Sequence, residues 1–246
     1  MITFDFDRLG DLSGALVLDL GAGGGRHSIA ALARGAQVIS FEISLDLLLE
    51  IEDAIAGAEE YLDLEEGTLS KRASSILGDG RFLPFANDSF DVVLVSEVLE
   101  HIYEDRMVMA EVRRVLKPNG VAACSVPRYF GEVINWAISK EYHSAAGGHI
   151  RIYRSTQLKE RLKAAGLKSV SASYHHGLHS PYWWLKSLLG IEDNNRKIVA
   201  KYHSKLVEVM MGERPKLEEI EAKYLNPIMG KSFSVYLKRD DTDARR

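Results

Sequence analysis

Val17-Leu18-Asp19-Leu20-Gly21-Ala22-Gly23-Gly24-Gly25-Arg26-His27-Ser28 is the stretch on which the reading of this chain turns. The apolar run from Ala15 to Leu20 ends in four glycines among five residues, and Ile29, Leu32 and Ala33 then follow at helical spacing. The pattern predicts a buried strand, a tight turn and the start of a helix. Glycine is required in such a turn because a side chain would keep the backbone from closing on a bound ligand. Asp19, at the strand's end, is placed to receive a cationic group.

The glycine spacing narrows the ligand. A dinucleotide fingerprint needs G-x-G-x-x-G, and a phosphate loop needs G-x-x-x-x-G-K-[ST]. Here the order is Asp-x-Gly-x-Gly-x-Gly, with Arg26 after it and no Lys-Ser or Lys-Thr to hold a phosphate. Asp19, Gly21, Gly23, Gly25 and Arg26 resemble the first motif of class I S-adenosylmethionine-dependent methyltransferases. That resemblance implies that Asp19 meets the aminoacid end of the cofactor.

The remaining blocks come in order. Residues 36–41 read as a second strand, and Glu42 closes it about 20 residues beyond the glycine turn, where an acid accepts hydrogen bonds from both ribose hydroxyls. Ile43 adjoins it, a helix is expected over 45–56, and 57–72 is charged and less periodic. A third strand over 73–77 leads to Gly78-Asp79-Gly80-Arg81, with Asp79 suited to an adenine amino group. Residues 90–96 form a β-branched strand that runs into Ser96-Glu97-Val98-Leu99-Glu100-His101. A helix over 104–116 stops at Lys117-Pro118-Asn119-Gly120, and 121–126 is the fifth strand. The glycine turn, Gly78-Asp79-x-x-x-Leu83-Pro84-Phe85, Phe90-Asp91-Val92-Val93 with Glu97-Val98-Leu99-Glu100-His101, and Leu116-Lys117-Pro118-Asn119-Gly120 together resemble the small-molecule branch of class I methyltransferases. That branch includes the ubiquinone and menaquinone methylases, and the resemblance covers residues 15–126 well.

The resemblance implies an α/β fold: a Rossmann-like, seven-stranded, mostly parallel sheet with an antiparallel last strand and helices on both faces. It implies S-adenosyl-L-methionine as cofactor and S-adenosyl-L-homocysteine as product. Its cofactor contacts fall on Asp19, Gly21, Gly23, Gly25, Arg26, Glu42, Ile43, Asp79, Gly80, Arg81, Ser96 and Glu97.

Composition sets outer bounds. A length of 246 residues accommodates one large domain or a domain with a lid. The formal net charge of -4 argues against a general nucleic-acid binder, and no nucleic-acid partner is expected. Cys124 is the only cysteine, which excludes an internal disulfide and a cysteine-based zinc site and suits a reducing cytoplasm. No apolar run approaches the ~18 residues of a membrane span. The first residues lack the basic start and apolar centre of a signal peptide. A cytoplasmic enzyme is expected, monomer or homodimer, with peripheral membrane contact left open.

At the start, Phe4, Phe6 and Leu9 are expected to pack on the sheet edge. Beyond the cofactor half, a helix is expected over 130–144 and a turn over 145–153, the place that lies beside the reacting methyl group in similar methyltransferases. Ser155 is expected to cap a helix with Leu158 and Leu162 inward, followed by a sixth strand over 168–174. A seventh strand is expected over 232–237. Residues 177–230 form a helical insertion between them, with a long helix over 194–211. It reads as a cover over the substrate, with a dimerisation element as its rival. The core is then 1–176 with 231–239, and 240–246 is a flexible tail.

Methyl transfer needs an aligned nucleophile, exclusion of water and, for a hydroxyl, removal of a proton. Histidine suits that last task. His149, between Gly148 and Ile150, is the first choice for the base and His101 the second, while His27 packs on the cofactor side. Tyr129, Arg151, Tyr153, His176, His179 and Trp183 are expected on the acceptor side. His175 and His179 have a metal-like spacing of four, but Gly177 and Pro181 argue against a helix there, and no metal is expected. Tyr182, Trp183 and Trp184 fit a substrate wall, a membrane-surface foot or the insertion's own core. The expected reaction is methylation of a small-molecule hydroxyl. Methylation at carbon or nitrogen, a protein acceptor and a non-catalytic cofactor-binding protein are the alternatives.

Overall fold

Val17, Leu18 and Leu20 alternate with their neighbours across a strand that has no polar face, which is the pattern of a parallel strand covered on both sides. In the computed structural model, which describes residues 1–139, 148–190 and 196–240, that strand (β1, Leu16–Leu20) lies inside a seven-stranded sheet of order β3-β2-β1-β4-β5-β7-β6. β1 pairs in parallel with β2 (Gln37–Glu42) and β4 (Phe90–Ser96), and β2 pairs in parallel with β3 (Ala73–Leu77). β5 (Leu116–Pro127) is parallel to β4. β7 (Ser232–Arg239) slots between β5 and β6 (Leu167–His175), antiparallel to both. The expected sheet with an antiparallel last strand is therefore the one observed.

The two faces make separate cores. Leu18, Val93 and Val95 point to the face covered by α3 (Asp105–Val115) and α5 (Ser155–Ala164) through Met109, Val112, Leu158 and Leu162. Val17, Val92 and Leu94 point to the other, covered by α1 (Arg26–Leu32) and α2 (Leu45–Tyr61). Phe4, Phe6 and Leu9 join this second core together with Tyr236. They pack under the sheet's face rather than on its edge, because Ser234 donates to Thr3 O at 2.7 Å and pulls the N-terminal segment across.

Local boundaries differ from expectation in four places. α2 runs to Tyr61, past the expected 56, since Glu59 is buried and accepts from the backbone N–H of Gly67, Leu69 and Ser70. The Lys117-Pro118-Asn119-Gly120 block lies within β5. Leu116 pairs with Phe90 and pairing resumes at Val121 with Val92, so the block bulges out where Pro118 need not donate to the ladder. Lys117 closes the bulge by binding both Asp91 oxygens at 2.8 Å. Ser155 is the first residue of α5 and makes no capping bond; Arg154 holds the cap position. α4 spans Tyr129–Ile138 and stops at Ser139, whose backbone is extended, short of the expected 144; residues 140–147, with Tyr142, lie outside the described residues.

The insertion is helical. α6 is His179–Leu189, α7 Lys197–Met210, α8 Pro215–Ile220 and α9 Asn226–Met229, with a π-turn over Glu221–Leu225. A helix at His179 corrects the expectation that Pro181 forbids one: Pro181 sits in the first turn, where N–H groups have no intrahelical acceptor. Tyr182, Val199 and Leu206 form a small core of its own. α6 also lies on α4, where Trp184 Nε1 donates to Gly131 O at 3.3 Å and Ser187 Oγ to Asn135 Oδ1 at 3.1 Å. Of the expected tail, Asp240 is described and donates its N–H to Gly166 O at 2.8 Å. The residues after it lie outside the described range.

Candidate functional site

Because β1 and β4 are adjacent and parallel, their carboxyl ends open together, and open α/β sheets bind ligands there. A cleft of ≈ 850 Å³ occupies this position, of the size that holds a cofactor. Its wall carries Gly21, Gly23, Arg26, Glu42, Ile43, Asp79, Gly80, Arg81, Ser96 and Glu97. Ten of the expected cofactor contacts are thus brought to one place.

The glycine turn is obligatory in physical terms. Gly21 has φ +70°, and a Cβ there would lie 2.3 Å from Val98 Cγ2. Gly23 has φ +53° and donates its N–H to Glu42 Oε2 at 2.9 Å. Glu42 Oε1 accepts from the N–H of Ile43 at 2.8 Å, so the carboxylate is held rigidly at the end of β2. Oε1 also accepts from the N–H of Ser44 at 3.2 Å, so Oε2 is the oxygen that retains a second lone pair for a ligand. Gly25 is the residue before α1, with φ +73°, and it lies behind the wall against Ile51.

Asp19 is 1% exposed and lies behind the turn rather than on the cleft wall. Ser28 Oγ donates to its Oδ2 at 2.7 Å, and Oδ1 has no partner in the structure. Burial pushes its carboxyl up to about 6. An orphaned buried carboxylate oxygen is costly by about 1–3 kcal/mol, so this position fits a ligand that brings a donor or a positive charge. Asp79 is engaged differently: Arg81 Nη2 lies 2.6 Å from its Oδ2, and this ion pair holds its carboxyl below the usual range. Arg81 also reaches Glu104, which lines the cleft and carried no signal in the sequence. His27 lines the cleft from beneath, accepting from Thr3 N at 3.1 Å, and burial pushes its imidazole down to about 3.

On the far side of the cleft, Glu97 sits at φ +55° and accepts from Ser125 Oγ at 3.1 Å. The short helix Leu99–His101 follows and puts His101 on the wall. His149 comes against it with ring centroids 4.9 Å apart, and His149 Nδ1 is 2.9 Å from Glu132 Oε2 on α4. Glu132 is 2% exposed and was not visible in the sequence: no motif spacing links it to residue 149.

His149 touches the wall only through His101, and none of the expected acceptor-side residues lines this cleft among the described residues. Tyr153 and Arg151 are structural: Asp105 accepts from the Tyr153 hydroxyl and pairs with Arg151 at 2.6 Å and Arg161 at 2.5 Å. Tyr129 begins α4 and accepts from Arg154 at 3.2 Å. His176 and His179 lie at the root of the insertion, and burial pushes His179 down to about 4. Trp183 packs against Tyr182 with Lys186 and Lys231 over its ring, so it belongs to the insertion's own core. His175 ends β6 while His179 begins α6, so this pair does not share a helix.

A family model for the methyltransferase domain matches residues 5–172, which covers the cleft and most of the sheet. The chain belongs to the methyltransferase domain family. Within it, the chain is similar to the quinone methylases. It is 37% identical over 108 residues to a demethylmenaquinone methyltransferase of Thermobifida fusca (strain YX), covering 44% of this chain and 42% of that protein. It is 34% identical over 122 residues to a malonyl-[acyl-carrier protein] O-methyltransferase of Xylella fastidiosa (strain M23), covering 49% of this chain and 37% of that one. The chain thus spans less than half the length of these two relatives. Among solved structures, an S-adenosylmethionine dependent methyltransferase from Mesorhizobium loti shares the fold at TM-score 0.58 and 15% identity, covering 95% of each chain. No described helix is long and apolar enough to cross a membrane.

Proposed function

We propose that this chain transfers the methyl group of S-adenosylmethionine to a hydroxyl oxygen of a small molecule, with His149 as the base. The observation that carries the reading is the hydrogen-bonded His149–Glu132 pair standing beside His101 on the cleft wall. With Nδ1–H donating to the Glu132 carboxylate, Nε2 is the atom that takes a proton. The S–CH3 bond breaks as the O–CH3 bond forms in line with it; the hydroxyl proton passes to His149, and S-adenosylhomocysteine leaves. Among the relatives, the malonyl-[acyl-carrier protein] O-methyltransferase acts on oxygen.

The cofactor is held in three parts. Glu42 accepts from the ribose hydroxyls. Asp79, Gly80 and Arg81 meet the adenine. Asp19, with its orphaned Oδ1, answers the cofactor's ammonium from behind Gly21, Gly23 and Arg26. Residues 177–230 act as a helical cover on a core of 1–176 and 231–239, in a cytoplasmic monomer or homodimer that takes no nucleic acid. The test is turnover. Purified protein with methyl-labelled S-adenosylmethionine and a cell extract transfers label to an extractable small molecule in a base-stable methyl ether; a base-labile label would mark a carboxylate acceptor instead. Tight binding of S-adenosylhomocysteine with no transfer to any fraction would turn the reading into that of a cofactor-binding scaffold.

A further inference from the structure

Glu100 is the most anomalous side chain apart from the expected cofactor contacts. It is 0% exposed, and neither carboxyl oxygen has a hydrogen-bond partner. Protonation does not resolve this, because a carboxylic acid would still lack an acceptor for its O–H. Glu97 and Glu132 add negative charge nearby, offset by Lys231. A buried carboxylate in such a place is costly unless something positive completes it.

Two imidazoles stand next to it. His101 Nε2 is 4.0 Å from Glu100 Oε1, and one ligand atom each from Glu100, His101 and His149 lies within 4.8 Å of the others. Among the described residues this is the only such group of three or more histidine, cysteine or acidic side chains. Both rings are oriented from behind: His101 Nδ1 is 3.3 Å from Gly148 O, and His149 Nδ1 is 2.9 Å from Glu132 Oε2. A carbonyl or carboxylate on the far nitrogen is the arrangement that fixes the ring and raises the basicity of a metal-ligating histidine. The backbone is tied as well, since Ile150 donates its N–H to Glu100 O at 3.0 Å and locks the two segments together.

We propose that Glu100, His101 and His149 bind a divalent transition-metal cation at the acceptor end of the cleft, with Glu132 as the carboxylate behind His149. Nε2 of each ring is the ligand atom. Bonds of about 2.1 Å bring the ligand atoms to roughly 3–3.5 Å from one another, an inward movement that His101, with 36% of its side chain exposed, has room to make. Two imidazoles and one carboxylate select zinc, cobalt, iron(II) or manganese over magnesium or calcium, which take all-oxygen sets. Three protein ligands leave open positions, and His101 on the cleft wall puts them on the acceptor's side.

What the cation does there rests on the methyl-transfer reading; its binding does not. An acceptor hydroxyl that coordinates the cation loses its proton to solvent water and meets the methyl group as an alkoxide or phenolate. Without the cation His149 Nε2 is the base; with it bound, the cation takes over the removal of the proton and the same nitrogen serves as its ligand. The acceptor class this favours is a phenol or an enol with a second oxygen beside the first, able to chelate.

The experiment uses the full chain after chelator treatment, without cofactor or acceptor. Co2+ is followed by its visible absorption and Zn2+ by calorimetry, in the wild type and in Glu100→Gln, His101→Ala and His149→Ala. S-adenosylhomocysteine affinity, measured in each, reports that the cofactor half is folded. The expected result is a single saturable site whose affinity falls at least about tenfold in each variant, with S-adenosylhomocysteine affinity retained. No saturable binding by a wild type that binds S-adenosylhomocysteine overturns the cation and leaves methyl transfer standing; so does binding that all three variants retain. Cation binding by a chain that fails to bind S-adenosylhomocysteine overturns the methyl-transfer reading instead.

Discussion

His149 Nδ1 lies 2.9 Å from Glu132 Oε2, joining the stretch before α5 to the first turn of α4 across the acceptor end of the cleft. The carboxylate is 2% exposed, so this bond is shielded from water and sets the orientation of the ring. Glu132→Gln should therefore lower kcat by about 10–100-fold while S-adenosylhomocysteine affinity stays within about twofold, and His149→Ala should lower it by at least about 100-fold. Steady-state kinetics beside calorimetry check this. If affinity collapses and the rate per bound cofactor survives, neither residue acts in the reaction.

Gly21 and Gly24 are close in sequence and should behave oppositely. At Gly21, φ +70° and a Cβ 2.3 Å from Val98 combine, whereas a Cβ on Gly24 meets nothing within 4 Å. Gly21→Ala should cost roughly 2–4 kcal/mol of stability by adding a clash to a left-handed backbone. Gly24→Ala should change it by less than about 0.5 kcal/mol. Urea unfolding of the two variants decides it, and equal destabilisation would mean that the turn is not shaped as described.

Burial raises Asp19 to about 6 in the folded chain. A carboxyl raised on folding favours the fold below its unfolded value, and that contribution is lost as pH climbs through the folded one. Stability of the ligand-free chain should thus fall between about pH 4 and pH 7, by up to about 3 kcal/mol. Asp19→Asn should abolish this component, so the difference between the two melting curves isolates it from other carboxyls. Saturating S-adenosylhomocysteine, by supplying an ammonium, should shrink the loss in the wild type only.

Asp105 holds Arg151, Arg161 and Tyr153 together while itself 2% exposed. Asp105→Ala leaves two guanidinium groups facing each other without their counter-ion, and should cost about 3–5 kcal/mol. Tyr153→Phe should lower the melting temperature by a few degrees without changing kcat per folded molecule. A specific loss of kcat with unchanged stability would return Tyr153 to the acceptor side.

The strands and the glycine turn were legible because their signals are local. A β-branched run such as Phe90-Asp91-Val92-Val93-Leu94-Val95-Ser96 carries its own period, and Asp19, Glu42 and Asp79 each announce themselves by closing a strand. The boundary errors arose where a distant partner overrode the local preference, as Asp91 does for Lys117 and the backbone of 67–70 does for Glu59. Arg151 and Tyr153 misled for the same reason. They stand beside His149 in sequence, but Asp105 draws both away from the cleft.

By itself, the order of residues marked the strands and the glycine turn through periodicity and backbone freedom, and its resemblance to class I methyltransferases implied the seven-stranded sheet and the ten wall positions. Only the folded chain decided which groups meet at the acceptor end. Glu132 and His149 are 17 residues apart and Asp105 and Arg161 are 56 apart, with no repeat connecting either pair. Their contacts follow from how α4 and α5 dock on the sheet, and docking is settled by summed burial over many side chains, which no short stretch of sequence encodes.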